Sequence, residues 1–368
     1  MTNEINYSDF KVAHIQGRYI TNKHIVDYLQ GLNASFQFET LGTSVKGNPI
    51  YSVAIGTGPI RILMWSQMHG NESTTTKALL DLTNYLKVQL GESENILKSV
   101  TLKMIPILNP DGAEAYTRLN ANQIDLNRDA QDLSQPESKV LNTVYDTFNP
   151  DYCFNLHDQR TIFNVGETEK PATISFLAPA FDEERNLSDS RVISMQLIAA
   201  MNNRLQQEIP GQVGRYDDGF NANCVGDAFQ MLQTPTILFE AGHYHNDYQR
   251  ETTREYICMA LLEALKTITN GNLEKFTVVD YNSIPENQKM FYDIVVTNVH
   301  LLNADREEGT AAGILFREKL HKDWVVFEPA LEYIGVAKKT LFGHETKDAS
   351  KPADRLWLAK QNVIPLFD

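Results

Sequence analysis

Apolar and polar positions over residues 21–32 repeat at helical spacing, with Ile25, Tyr28, Leu29 and Leu32 on one face. Two β-like runs follow at 36–44 and 50–55, with Lys46-Gly47-Asn48-Pro49 as the turn between them. Residues 60–65 are apolar apart from Arg61, the pattern of a strand covered on both faces. The texture then alternates. A helix is predicted over 73–90, a strand over 100–108, and a helix over 136–148 with Ser134 as its cap and Pro136 near its first position. Strands follow at 151–156 and 173–177. A helix over 190–209 carries Ile193, Leu197, Met201 and Leu205, and a strand at 235–239 precedes a helix over 248–268. Strands alternating with helices of this length predict an α/β domain, a mostly parallel central sheet flanked by helices. After Asn270-Gly271-Asn272 the helical periodicity fades. Short β-like runs at 276–279, 292–296, 313–316 and 324–327 predict a small β-rich C-terminal domain, dividing the chain into 1–272 and 273–368.

A chain of 368 residues has room for one large domain and a small one. No stretch approaches the roughly 18 consecutive apolar residues of a membrane helix. The first ten residues are polar and acidic, unlike a secretory signal, so the expectation is a cytoplasmic protein. The formal net charge of −14 argues against non-specific nucleic-acid binding and against docking on anionic lipid. Cys153, Cys224 and Cys258 are far apart and form no CxxC pair, which suggests neither a disulfide framework nor a cysteine zinc site.

Candidate chemistry gathers at the ends of the predicted strands, where open α/β sheets bind ligands. Met68-His69-Gly70-Asn71-Glu72 follows the first buried strand, and Phe154-Asn155-Leu156-His157-Asp158 closes another. His69, Glu72 and His157 make a His₂Glu set with a fourth position open for water, the coordination of catalytic zinc. Thr236-Ile237-Leu238-Phe239-Glu240 ends a third strand with a carboxylate suited to be a general base. Asn109-Pro110-Asp111-Gly112 reads as a turn, followed by Arg118 and by Asp125-Leu126-Asn127-Arg128, in which Asn127 and Arg128 form a plausible carboxylate clamp. Each signal alone is weak. A His beside a capping Glu, a His satisfied by Asp158, a solvent-facing Glu240 and a solvated Arg–Asn loop are the competing bland readings.

Taken in order, HGNE, NPDG, Arg118, DLNR, the strand-end His157 and the strand-end Glu240 resemble the metallocarboxypeptidase family of carboxypeptidase A/B-like enzymes, over roughly residues 35 to 268. The resemblance implies one zinc per chain on His69, Glu72 and His157, and Glu240 as the base that activates a zinc-bound water. It implies Arg118 as the oxyanion-stabilising arginine, Asn127 and Arg128 as the binders of the substrate's C-terminal carboxylate, and Asp125 as the carboxylate that orients the first zinc histidine. The chain departs from the family in a shorter Glu72–His157 spacing than the digestive enzymes have. It also lacks a clear match to the tyrosine that covers the substrate, with Tyr216 and Tyr244 as candidates. The specificity pocket is expected around 223–229, where Asp227 reads as structural rather than as a selector of basic side chains. His243 and His245 read as a polar loop outside the site.

The expected substrate is a peptide or N-acyl amino acid with a free carboxylate. Oligomeric state is left open. A zinc deacylase of the aspartoacylase or succinylglutamate desuccinylase type is the close rival and would also carry a C-terminal β domain. A cell-wall peptide amidase is a further enzyme reading. A non-catalytic binding protein is disfavoured because every expected ligand and base is present.

Overall fold

A computed structural model describes residues 6–87, 91–336, 338 and 340–367. The last three residues of the helix predicted over 73–90 lie outside that set. In the first part the strands are β1 (Gln37–Thr43), β2 (Pro49–Gly56), β3 (Ile60–Ser66), β4 (Val100–Ile105), β5 (Tyr152–Asp158), β6 (Asn164–Val165), β7 (Ile174–Leu177), β8 (Val213–Arg215) and β9 (Thr236–Ala241). All but β6 join in one sheet of order β1-β2-β4-β3-β5-β9-β7-β8. Pairing is parallel at the centre, through β4, β3, β5 and β9, and antiparallel at β1/β2, β2/β4 and β7/β9.

The central strands show why the apolar runs carry no polar face. Ile62 and Met64 of β3 point into one core, under helices Thr74–Lys87, Asp189–Leu205 and Glu251–Thr269. Leu63 and Trp65 point into the other, with Leu141 and Val144 of helix Pro136–Phe148 and Phe229 of helix Val225–Met231. A period of two on a sheet covered on both sides gives a continuous apolar run. Each such fully buried side chain contributes roughly 1.5–3 kcal/mol relative to exposure.

Several element ends differ from the sequence reading, and polar side chains explain them. Ser134 is not the cap of helix Pro136–Phe148. Gln135 holds that position, and the Asp129 carboxylate accepts from the Ser134 hydroxyl (2.6 Å) and from the Ser134 and Gln135 amides (both 3.0 Å). The helix predicted from 248 begins at Glu251, because Asp247 accepts the amides of Glu251, Thr252 and Thr253 at 2.8–2.9 Å. The run at 276–279 is not a strand. Thr277 and Asp280 form a capping box that starts helix Val278–Asn282.

Beyond lie β10 (Asn287–Gln288), β11 (Phe291–Thr297), β12 (Thr310–His321), β13 (Trp324–Val336) and β14 (Phe342–Asp348). The last four form a separate sheet of order β13-β12-β11-β14, closed by helix Pro352–Lys360, whose Leu358 joins Ile294 and Val296 in one core. The three later β-like runs fall within β11, β12 and β13. β14 and the closing helix have no counterpart in the sequence reading. The two layers are stitched together. β10 pairs with β6, and Tyr281 and Ile284 belong to the core of the large sheet. No helix among the described residues is long and apolar enough to cross a membrane.

Candidate active site

The metal-ligand loop leaves β3 through Gln67, whose φ is +51°, and turns on the Glu72 N–H to His69 carbonyl bond (3.1 Å). Its shape is set by the NPDG segment. The Asn109 side-chain amide donates to the Met68 carbonyl (3.1 Å), and the Asn109 Oδ1 accepts from Gly112 (2.8 Å) to cap helix Pro110–Ala115. Gly70 packs on that segment so closely that a Cβ would lie 1.9 Å from the Gly112 carbonyl carbon, so only glycine fits between the two ligands. Asp111 braces the other side, accepting from Ser44 and Asn48 (2.6 and 2.9 Å). NPDG is therefore a scaffold under the loop and makes no direct contribution to the cavity.

His69, Glu72 and His157 converge as the spacing predicts, all buried, with their ligand atoms within 4.8 Å of one another. Nδ1 of His69 and Nδ1 of His157 each lie 2.9 Å from a Glu72 oxygen and 3.1 Å from each other. His69 donates Nε2–H to Asp125 Oδ1 (3.0 Å), which leaves its Nδ1 as a lone pair facing the carboxylate. Two imidazole lone pairs and a carboxylate crowded together repel unless a cation sits among them. A proton on one nitrogen answers one contact, whereas a dication answers all three, and the N₂O set suits zinc. The residues therefore fit the metal.

Asp158 does not satisfy His157. Its carboxylate accepts the Thr74 and Thr75 amides (2.9 and 3.3 Å) at the start of helix Thr74–Lys87, while its own N–H holds Glu72 Oε2 (3.1 Å). Asp125 also accepts from the Asn127 N–H (2.9 Å) and from Arg118 Nε (3.0 Å). Burial alone would raise the Asp125 pKa, but its bonds to His69 and Arg118 outweigh that and hold it ionised. Arg118 Nη1 lies 3.5 Å from Glu72 Oε1, so this arginine flanks the ligand cluster.

Glu240 does not face bulk solvent. It stands opposite His157 in the β5/β9 register, lines the cavity, and its Oε2 is buried without a hydrogen-bond partner among the described residues. Burial, then the charges of Glu72 and Asp158, push its pKa well above the ordinary carboxylate value. The cavity over these groups measures about 520 Å³. Asn127 and Arg128 line it, and Asn127 Oδ1 accepts from the Val225 N–H (3.0 Å), which leaves the Asn127 amide nitrogen to face a ligand. Leu177, Pro179, Leu238 and Asp227 line it as well. Burial raises the Asp227 pKa to about 7, so acid and carboxylate are near balance at neutral pH.

Of the two tyrosine candidates, Tyr216 lines the cavity, edge-on to Phe163 at 5.3 Å, while Tyr244 packs against Tyr256. His243 contacts Arg250 and His245 faces His344, both away from this cavity. Sequence reasoning missed Arg160 and Arg317, which also line the cavity, and Glu318 behind them. Arg160 lies three residues past His157 and offered a weak signal. Arg317 and Glu318 sit on β12 and offered none.

Residues 25–188 match the sequence profile of a family described as zinc carboxypeptidase. The chain is 30% identical to carboxypeptidase SOL1 of Arabidopsis thaliana over 148 residues, covering 34% of this chain and 30% of that one. It is 24% identical to carboxypeptidase 2 of Trichophyton tonsurans over 268 residues, 65% and 47% of the two chains. It thus spans less than half the length of these curated relatives. Among solved structures, a metallo-carboxypeptidase from Burkholderia cenocepacia superposes with a TM-score of 0.54 at 16% identity, covering 69% of this chain and 70% of that one. The metallo-carboxypeptidase from Pseudomonas aeruginosa, in complex with (2-guanidinoethylmercapto)succinic acid, superposes at 0.53 and 16%, covering 68% of each. These likenesses show the shared fold, and the zinc carboxypeptidase profile matches the stretch, residues 25–188, in which His69, Glu72 and His157 converge.

Proposed function

We propose that the chain hydrolyses the C-terminal peptide bond of a peptide substrate, with His69, Glu72 and His157 holding one zinc. The observation that carries this reading is the alignment of Glu240 beside the three converging ligands, in a cavity that also holds Asn127 and Arg128. When bound, zinc supplies Lewis acidity, polarising the scissile carbonyl and lowering the pKa of water from ~15.7 toward ~7. Arg128 and Asn127 bind the terminal carboxylate, which fixes the register of the peptide. Glu240 accepts a proton from the attacking water as the new C–O bond forms. It then delivers that proton to the amine as the C–N bond breaks. Its high proton affinity in the cavity suits both halves of this transfer. Arg118 stabilises the developing oxyanion. Asp125 keeps His69 in the tautomer whose Nδ1 faces the ligand cluster. Leu177, Pro179 and Leu238 offer apolar surface to the released side chain, and Tyr216 is the tyrosine placed to cover it. The unpaired Cys153, Cys224 and Cys258 support a reducing, cytoplasmic setting.

The test is metal content of the purified protein together with hydrolysis of N-blocked dipeptides and N-acyl amino acids, with and without a chelator. About one zinc per chain and chelator-sensitive release of a C-terminal residue are expected. Turnover of small N-acyl amino acids alone would instead identify the deacylase.

A further inference from the structure

Two cations in the cavity wall, Arg160 and Arg317, have no part in the reaction above. Their position follows from a chain of contacts. The carboxylate clamp at Asn127 touches Asp125, Asp125 touches His69, and His69 touches Glu72. The residue before Glu72 is Asn71, whose carbonyl accepts from Arg160 Nη1 (3.0 Å). Arg160 therefore reaches the cavity beside Asn71, on the Glu72 side of the ligand cluster, whereas Asn127 reaches it through Asp125, behind His69.

Arg160 is firmly held. Its Nη1 also donates to Glu318 (2.8 Å), and its guanidinium stacks 5.6 Å from the Tyr116 ring centre. Glu318 cannot neutralise it alone, because it shares its carboxylate with Arg18 (3.1 Å). Asp158 is likewise shared between Arg18 (3.9 Å) and Arg250 (3.7 Å). Among the described residues, the three guanidinium groups of Arg18, Arg160 and Arg250 thus draw their ion pairs from two carboxylates, Asp158 and Glu318. Arg317 adds a second cation from β12. Its partner is Glu332, in a pair whose side chains are 52% and 43% exposed, and such surface pairs are weak enough for an incoming carboxylate to displace.

We propose that Arg160 and Arg317 form a second anion-recognition subsite, specific for an acidic side chain on the residue that precedes the scissile bond. The substrate class is then a peptide with a carboxylate at its C-terminus and another one residue upstream. This rests on the carboxypeptidase reading, since it takes its orientation from the Asn127–Arg128 clamp.

The test measures binding apart from turnover. N-acetyl-Glu-Leu, N-acetyl-Ala-Leu and N-acetyl-Lys-Leu are titrated calorimetrically into the zinc-loaded Glu240→Gln protein. The glutamyl peptide is expected to bind about tenfold more tightly than the lysyl peptide, the effect of a single charge-assisted hydrogen bond. Arg317→Glu in that background is expected to abolish or invert the ratio. Glu332→Gln, which frees Arg317 of its competitor, is expected to widen it. Equal affinities for the three peptides, no binding of any, or a ratio indifferent to both substitutions overturns the subsite. Hydrolysis of the same peptides by the unsubstituted holoenzyme is read separately, so a true carboxypeptidase without this subsite is distinguished from a protein that is not one.

Discussion

The floor of the cavity and its C-terminal wall are built on opposite principles. The floor is made at the carboxyl ends of β3, β5 and β9, adjacent parallel strands. Their shared direction brings His69, His157 and Glu240 together from three separate stretches of chain. The floor's polar atoms are left partly unsatisfied, as with the lone-pair crowding at His69 and His157 and the unpartnered Glu240 Oε2. The wall is an ion cluster in which Glu318, with only 7% of its side chain exposed, reaches from β12 to Arg18 and Arg160. The floor turns polar groups toward the cavity, whereas the wall uses charge pairing to join two layers. Reacting groups and layer-joining ion pairs therefore gather in different regions, with Arg160 belonging to both.

The largest effect that would break this separation is at Glu240. Glu240→Gln is expected to lower kcat by about 10²–10⁴-fold. Zinc content and unfolding midpoint should stay at their original values, because Oε2 carries no hydrogen bond among the described residues that a neutral amide would lose. Turnover of a blocked dipeptide and metal analysis on the same sample check this, and a large loss of stability would show that the floor is structural too.

The converse substitution is Glu318→Ala. It removes the carboxylate that Arg160 pairs with and leaves Arg18 with the longer contact to Asp158, and removing one partner of a buried pair costs about 3–5 kcal/mol. Urea unfolding measures it, with zinc retention expected once the protein is folded. The same residue has a pH signature. Burial would raise its pKa, but Arg18 and Arg160 outweigh that and hold it at about 2, below the ordinary 4.5. A depressed acid contributes stability that is present above its unfolded value and lost as pH falls through its folded value. The stability gap between the original protein and Glu318→Ala should thus be full above about pH 5 and shrink as pH falls toward 2. A gap that does not change with pH would contradict the ion-pair account.

Asp125 sharpens the comparison at smaller scale, since it meets the three converging side chains through His69. Asp125→Ala is expected to weaken zinc affinity about 10–100-fold, read by competition with a chromogenic chelator. An unchanged affinity would mean that the backbone alone orients His69.

Much of the floor is legible in the chain. Apolar runs ending in His or Glu reveal buried strands with chemistry at their carboxyl ends, because periodicity and strand termination are local properties. The region from 223 to 229 is expected at the cavity through the family resemblance and not through a local pattern, and burial is what raises the Asp227 pKa. Ser134 and the run at 276–279 mislead because Asp129 and Asp280 decide those element ends with side-chain bonds that hydrophobic patterning does not register.

The sequence by itself determined the alternation of strands and helices, the candidate ligand and base types, and their order along the chain, since each is written in residues close together. Tertiary structure alone decided that Gly70 must lie against Gly112, that Tyr216 rather than Tyr244 faces the cavity, and that Glu318 meets Arg160 across 158 residues. Those outcomes depend on which surfaces the two sheets bury against each other. Close approach and charge pairing over such separations leave no periodicity for a reader of the chain to find.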